Sequence, residues 1–204
     1  MIAFLHTSNI HIDKFEKLVR KFNSDVTIKH FVNADLLNYA LKNGKTDIKS
    51  FQKEVFKIKN ENPDLIICTC STYGKECDKT KDVERIDEPI VKFLVSNYTK
   101  IGLAYTANST KEVSKNLILN MAKKRNKDIE IINCNCCSSW KHYETNDFEN
   151  YAKSIAKKIE SIENDVEAIF LAQASMEDSK GYLKDFSKKI YSSPEFGVKE
   201  YLTK

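Results

Sequence analysis

The chain has no apolar run of membrane-spanning length. Charged residues interrupt each longer hydrophobic stretch well short of it, which excludes a transmembrane helix. It has no concentrated basic block either: the lysines are scattered and the net charge is a modest +4, so there is no electrostatic footprint for nucleic acid. Arginine is scarce, with only Arg20, Arg85 and Arg125, and a carboxylate clamp built from several guanidinium groups is not expected. With 5 glycines and 3 prolines, nothing resembles a flexible linker or a low-complexity tract. The opening MIAFLHTSNIHID lacks the basic start and long apolar region of a signal peptide; it reads as the first strand of a cytoplasmic protein.

What is present suits a globular protein with a real core: 204 residues, 41 % apolar and 30 % charged. Six cysteines stand at 68, 70, 77, 134, 136 and 137. In a chain of this size without an export signal, reduced thiols are the expectation, and the questions become thiol chemistry or metal binding.

Periodicity gives an alternation of strands and helices. Ile2–Leu5 is a short apolar strand that exits into HTSN (6–9), and Phe15, Leu18, Val19 and Phe22 follow at helical spacing. A second strand surrounds Val26–Val32. Residues 35–59 read as two helices broken near Asn43-Gly44, and DLIICTC carries a buried strand into Cys70, Ser71 and Thr72. Residues 83–97 read as one helix disturbed by Pro89. The pattern then repeats: KIGLAY (100–105) exits into TANST, DIEIINCNCC matches DVTIKHFVN, and VEAIFLAQASM (166–176) takes the place of DLIICTCST. The expected fold is α/β, with two pseudo-symmetric lobes over residues 1–97 and 98–204. Each holds a parallel sheet flanked by helices, with a cleft between them and the C-terminal segment packing back on the first.

Open parallel sheets bind ligands outside the C-terminal ends of their strands. Four polar exits gather there: HTSN, CST, TANST and QAS. Repeat equivalence sets Cys70 against Gln173 on opposite walls of the expected cleft. Hydroxyls and backbone N–H groups at such turns can hold a carboxylate without arginine.

CST at 70–72, RIDEP at 85–89, TANST at 106–110, LAQASM at 171–176 and SSPEFGV at 192–198, in this order, resemble the aspartate/glutamate/hydantoin racemase superfamily. The resemblance covers most of the chain. It implies a cofactor-independent isomerase that needs neither pyridoxal nor metal. In such an enzyme one cysteine removes the proton next to a carboxylate and another supplies a proton on the opposite face. CST matches the element with the first catalytic cysteine. LAQASM matches the second, with Gln173 where the family has a thiol. Maleate-isomerase-like and arylmalonate-decarboxylase-like branches give one thiol the leading role, and Cys70 is the one retained.

The candidate catalytic residues are therefore Cys70, Gln173 and His6, the last because imidazole titrates near neutrality. Thr7, Ser8, Ser71, Thr72, Thr106, Ser109, Thr110 and Ser175 are candidate carboxylate holders, and each would serve equally as a helix cap. The expected partner is a small carboxylate or amino acid, with a homodimer an open option. No cofactor, metal, nucleic acid or membrane is expected. Two other classes stay open: a small-acid receptor without turnover, and a thiol- or metal-dependent protein using Cys134, Cys136 and Cys137. That cluster lacks the C-x2-C pairs of structural zinc sites, and its i, i+2 spacing also suits thiols packed on one strand face. His11, His30 and His142 show no ligand spacing and carry no expected role.

Overall fold

Short apolar strands separated by helical crossovers can pair only in parallel, and each sheet then needs helices on both faces to be covered. The computed structural model describes residues 1–203, and they form two compact units. The first unit contains Met1–Asp87 together with residues 194–203. It is built from β1 (Ile2–His6), α1 (Ile12–Phe22), β2 (Ile28–Val32), α2 (Ala34–Asn43), α3 (Ile48–Lys59), β3 (Leu65–Cys68), the short α4 (Gly74–Cys77) and β4 (Val83–Arg85). The strands pair in parallel in the order β2-β1-β3-β4.

Strand periodicity sorts the core onto the two faces. Phe4 points to α1, its ring 5.6 Å from that of Phe15. Ala3 and Leu5 point the other way and pack in one cluster with Leu36, Phe51, Val55 and Ile66. The break between α2 and α3 falls at Gly44, which adopts a left-handed φ of 65° and donates its N–H to the Ala40 carbonyl at 2.9 Å. A side chain is disfavoured in that conformation, which is why the helix stops there.

The second unit, Glu88–Ser193, repeats the plan. It contains α5 (Glu88–Asn97), β5 (Lys100–Tyr105), α6 (Asn108–Lys124), β6 (Glu130–Asn135), α7 (Trp140–Glu144), α8 (Phe148–Glu160), β7 (Ala168–Leu171) and β8 (Lys189–Ser192). The order β6-β5-β7-β8 is that of the first sheet, again all parallel. The chain ends in α9 (Ser193–Leu202).

Two features differ from the sequence reading. Residues 83–97 are not one helix: Val83–Arg85 is a strand pairing with Ile66–Cys68, and the helix starts at Glu88. A three-residue strand shows no periodicity for the sequence to reveal. Pro89 lies in the first helical turn, where its missing N–H costs nothing. The division between units likewise falls after Asp87 rather than after Asn97, because α5 packs with α6 in the second unit.

The last helix is held to the first unit by a close backbone approach. Tyr201 donates its hydroxyl to the Arg85 carbonyl at 3.0 Å, and a Cβ on Gly197 would stand 2.4 Å from the Ile86 carbonyl oxygen. Gly197→Ala should therefore cost about 1–3 kcal/mol in urea unfolding. Gly181→Ala, where a Cβ meets nothing within 4 Å, should change stability by less than about 0.5 kcal/mol. Equal stability of the two variants would remove this account of α9.

Candidate active site

In an open parallel sheet the crevice lies where successive connections leave in opposite directions. In the first unit that point is between β1 and β3, and in the second between β5 and β7. The register is the same at both. Leu5 pairs with Cys68 and Ala104 with Leu171. One residue further, Thr69 N–H donates to Leu5 O at 3.0 Å and Ala172 N–H to Ala104 O at 2.9 Å. The next residues, Cys70 and Gln173, each precede a turn of 3-10 helix. Their carbonyls accept from Tyr73 N–H and Met176 N–H, both at 3.0 Å. The thiol and the amide thus occupy equivalent positions of the two units, at the places where the topology opens a site.

Cys70 is half-buried. Burial, together with neighbouring Cys68, pushes its thiol pKa up to about 11. The Thr7 hydroxyl and the backbone N–H groups of Thr72 and Tyr73 oppose that shift by hydrogen bonding to the sulfur. The sulfur therefore sits against three donors that favour its thiolate, with no cation facing it among the causes of the shift. The turn that carries it is fixed from beneath. Tyr73 is fully buried, donates to Leu36 O at 2.9 Å and stacks on Phe51 with ring centres 5.3 Å apart. Arg85, 3 % exposed, binds Asp87 through Nε at 2.7 Å and Nη2 at 3.0 Å, and Asp78 through Nη1 at 3.0 Å. Its guanidinium lies so close to Gly74 that a Cβ there would come within 2.3 Å of it. A side chain at position 74 would have to displace that guanidinium from Asp87 and Asp78.

The other first-unit candidates cluster here. Thr7 touches the sulfur, while Ser71 and Thr72 are buried in the turn itself. The Ser71 Oγ is shielded and bonds no described residue. Ser8 caps the short helical turn Asn9–His11 without a side-chain bond to its backbone.

His6 is positioned differently from an exposed acid–base group. It is 0 % exposed, with Nδ1 2.8 Å from Thr69 Oγ1 and Nε2 2.8 Å from His30 Nδ1. Thr69 donates its proton to Leu5 O, so His6 carries the hydrogen on Nδ1 and accepts from His30 at Nε2. His30 Nε2 in turn faces Glu16 at 3.2 Å. The sequence suggested no role for His30; two histidines on adjacent strands, two residues out of register and so on one face, carry no spacing signal. Burial and the nearby His30 and His11 lower the His6 pKa from 6.5 to about 3.

In the second unit the network converges on Gln173. Its Oε1 accepts from Thr106 N–H at 2.7 Å and from the Thr106 hydroxyl at 3.0 Å. Thr106 Oγ1 lies 3.0 Å from Tyr151 OH, which lies 3.0 Å from Ser175 Oγ. Because Thr106 spends its proton on Gln173, the chain runs in one direction, from Ser175 through Tyr151 and Thr106 to the amide oxygen. That order fixes the amide and turns its two N–H donors away, where no described residue accepts them. Tyr151 was not among the sequence candidates, and only the folded chain brings α8 to this point. Ser109 Oγ is shielded without a described partner, and Thr110 is buried in the first turn of α6.

Solved structures share this architecture. An aspartate racemase from Picrophilus torridus aligns over 99 % of this chain and 92 % of its own, with a TM-score of 0.76 at 15 % identity. Glutamate racemase from Francisella tularensis, in complex with D-glutamate, aligns over 99 % of this chain and 79 % of its own, with a TM-score of 0.77 at 14 % identity. The fold is that of the aspartate/glutamate racemases. An allantoin racemase from Klebsiella pneumoniae shares the racemase fold at a TM-score of 0.64 and 8 % identity, over 99 % of this chain and 86 % of its own. No family model and no curated protein matches the sequence. Among the described residues no group of three or more His, Cys, Asp or Glu side chains is arranged to hold a metal ion, and no helix is long and apolar enough to cross a membrane.

The His6 environment has a measurable consequence. Its folded pKa lies below the unfolded value, so the unfolded chain binds the extra proton first. Its contribution is thus fully present above pH 6.5 and is lost as the pH falls toward about 3. The difference in unfolding free energy between wild type and His6→Gln, followed by urea titration from neutral to acidic pH, should shrink through that window. A pH-independent difference would show that His6 is not held neutral.

Proposed function

We propose that the protein is a cofactor-independent, racemase-like isomerase that acts at the carbon next to a carboxylate of a small acid or amino acid. Cys70 is its base or nucleophile. The observation that carries this reading is the Cys70 sulfur itself, at the β1/β3 switch point of a racemase fold, against the Thr7 hydroxyl and the Thr72 and Tyr73 N–H groups. Those donors stabilise the negative sulfur formed when the thiol gives up its proton, which is what both a base and a nucleophile require. Thr7, Ser8, Ser71 and Thr72 are the proposed carboxylate contacts of the first unit. In the second, Gln173 presents its N–H donors to substrate, Thr106 and Ser175 hold it in that orientation, and Ser109 and Thr110 complete the binding set. His6 is a positioning residue in this scheme, because both ring nitrogens are already bonded and it fixes Thr69 beside Cys70.

A second reading is favoured by one observation. An amide at the position equivalent to Cys70 neither donates nor accepts the proton that inversion needs on the opposite face. A single-thiol reaction resembling maleate isomerisation or decarboxylation uses Cys70 as nucleophile and needs only hydrogen bonding from Gln173.

Incubation with a panel of amino acids and dicarboxylic acids in D2O, followed by NMR, tests both. Deuterium at Cα that is lost in Cys70→Ser supports the proton-transfer reading. Isomerised or decarboxylated product without exchange supports the single-thiol reading, and binding without either would leave a receptor. Because the thiol is protonated at rest, with its pKa near 11, a thiolate-dependent rate should rise about tenfold per pH unit from neutral pH upward. A flat profile over that range would exclude the Cys70 thiolate of the free protein as the reacting species.

A further inference from the structure

The cysteines of NCNCC lie where β6 leaves its sheet, and none of them belongs to the site proposed above. Cys134 is the penultimate residue of β6 and Cys136 caps the 3-10 turn that follows; both side chains pack in the core, among Tyr151, Ile155 and Met176. Their sulfurs are 3.7 Å apart, in contact but unbonded. Either sulfur can donate to the other, and Cys136 Sγ also lies 3.7 Å from the Cys134 carbonyl oxygen. Their mutual bond lowers the Cys134 pKa and raises that of Cys136. Cys137 points elsewhere, its sulfur 3.7 Å from Asn108 Oδ1, and is partly exposed. Two unbonded sulfurs in contact, so that an oxidised one lies within reach of its neighbour, are the arrangement that thiol oxidation and resolution require.

We propose that Cys134 and Cys136 form a reversible dithiol–disulfide site, oxidised by a hydroperoxide and restored by an added thiol reductant. The Cys134 thiolate attacks one peroxide oxygen, the O–O bond breaks and hydroxide leaves, giving a sulfenic acid. Cys136 sulfur then attacks Cys134 sulfur; the S–S bond forms, the S–O bond breaks, and the departing hydroxide takes the Cys136 proton as water. The first hydroxide takes the proton released by Cys134. Two thiols lose two electrons in all, and hydrogen peroxide becomes two waters. The Cys136 N–H donates to Tyr105 O at 2.8 Å, one residue before Thr106, so a shift of this turn reaches the backbone that holds Gln173.

The test treats the folded full-length protein with graded hydrogen peroxide, then blocks free thiols with N-ethylmaleimide in guanidinium so that core thiols are reached, and measures the tryptic peptide 128–141, which contains all three cysteines. The expected result is a peptide that has lost two hydrogens and two of its three maleimide labels, with the remaining label on Cys137 by fragmentation. Dithiothreitol before blocking should restore all three. The disulfide should persist in Cys137→Ala and vanish in Cys134→Ala and Cys136→Ala. Fragmentation of the wild-type peptide gives the same assignment if a core variant fails to fold. Retention of all three labels at a peroxide level that oxidises Cys70 would overturn the proposal, as would a disulfide that includes Cys137.

Discussion

The position of Cys70 and Gln173 depends on one constraint, the parallel register of the central strand pair in each unit. Once Leu5 is opposite Cys68, the Thr69 N–H has one acceptor, Leu5 O, and the residue after it must leave the sheet at the switch point. The second unit imposes the same geometry through Ala104, Leu171 and Ala172. A slip of one residue would turn the side chains of β3 to the opposite face and carry Cys68 out of the cluster it shares with Ala3 and Leu5. The backbone therefore fixes two equivalent positions, and side-chain identity alone decides that one carries a thiol and the other an amide. Thr7 and Thr106 follow from the same rule. Each stands two residues beyond the paired Leu5 or Ala104, and each bonds the residue across from it, Cys70 or Gln173.

Much of this was legible in the sequence because it rests on local signals. Alternating apolar strands, helical spacing and a repeated order of polar exits indicate two parallel α/β units, and the repeat alone aligns Cys70 with Gln173. The fourth strand of each sheet was not legible. Val83–Arg85 and Lys189–Ser192 are three and four residues long, too short for alternation to register, and each is followed closely by a helix with proline in its first turn. The second tier of the site was not legible either. His30 and Tyr151 reach His6 and Thr106 through tertiary contacts that no short motif encodes. His6 shows the limit most clearly: its intrinsic pKa suggests an acid–base group, whereas its surroundings keep it neutral and fully bonded.

The electrostatics around Cys70 bear on what kind of ligand can activate it. Arg85 is a buried cation behind this turn, yet its guanidinium is bonded to Asp87 and Asp78 and lies against Gly74. His6 is neutral and committed to Thr69 and His30. The thiolate is therefore supported by dipoles alone: a hydroxyl and two backbone N–H groups, working against burial and against Cys68. Dipoles can hold a charge that has formed, but they do not overcome desolvation in the ligand-free protein. A ligand that brings an ammonium group close to the sulfur would lower the thiol pKa on binding, whereas a dicarboxylate without one would raise it further. By this reasoning an amino acid would generate its own base in the proposed site. A simple diacid would leave that activation to the hydroxyl and backbone N–H dipoles alone.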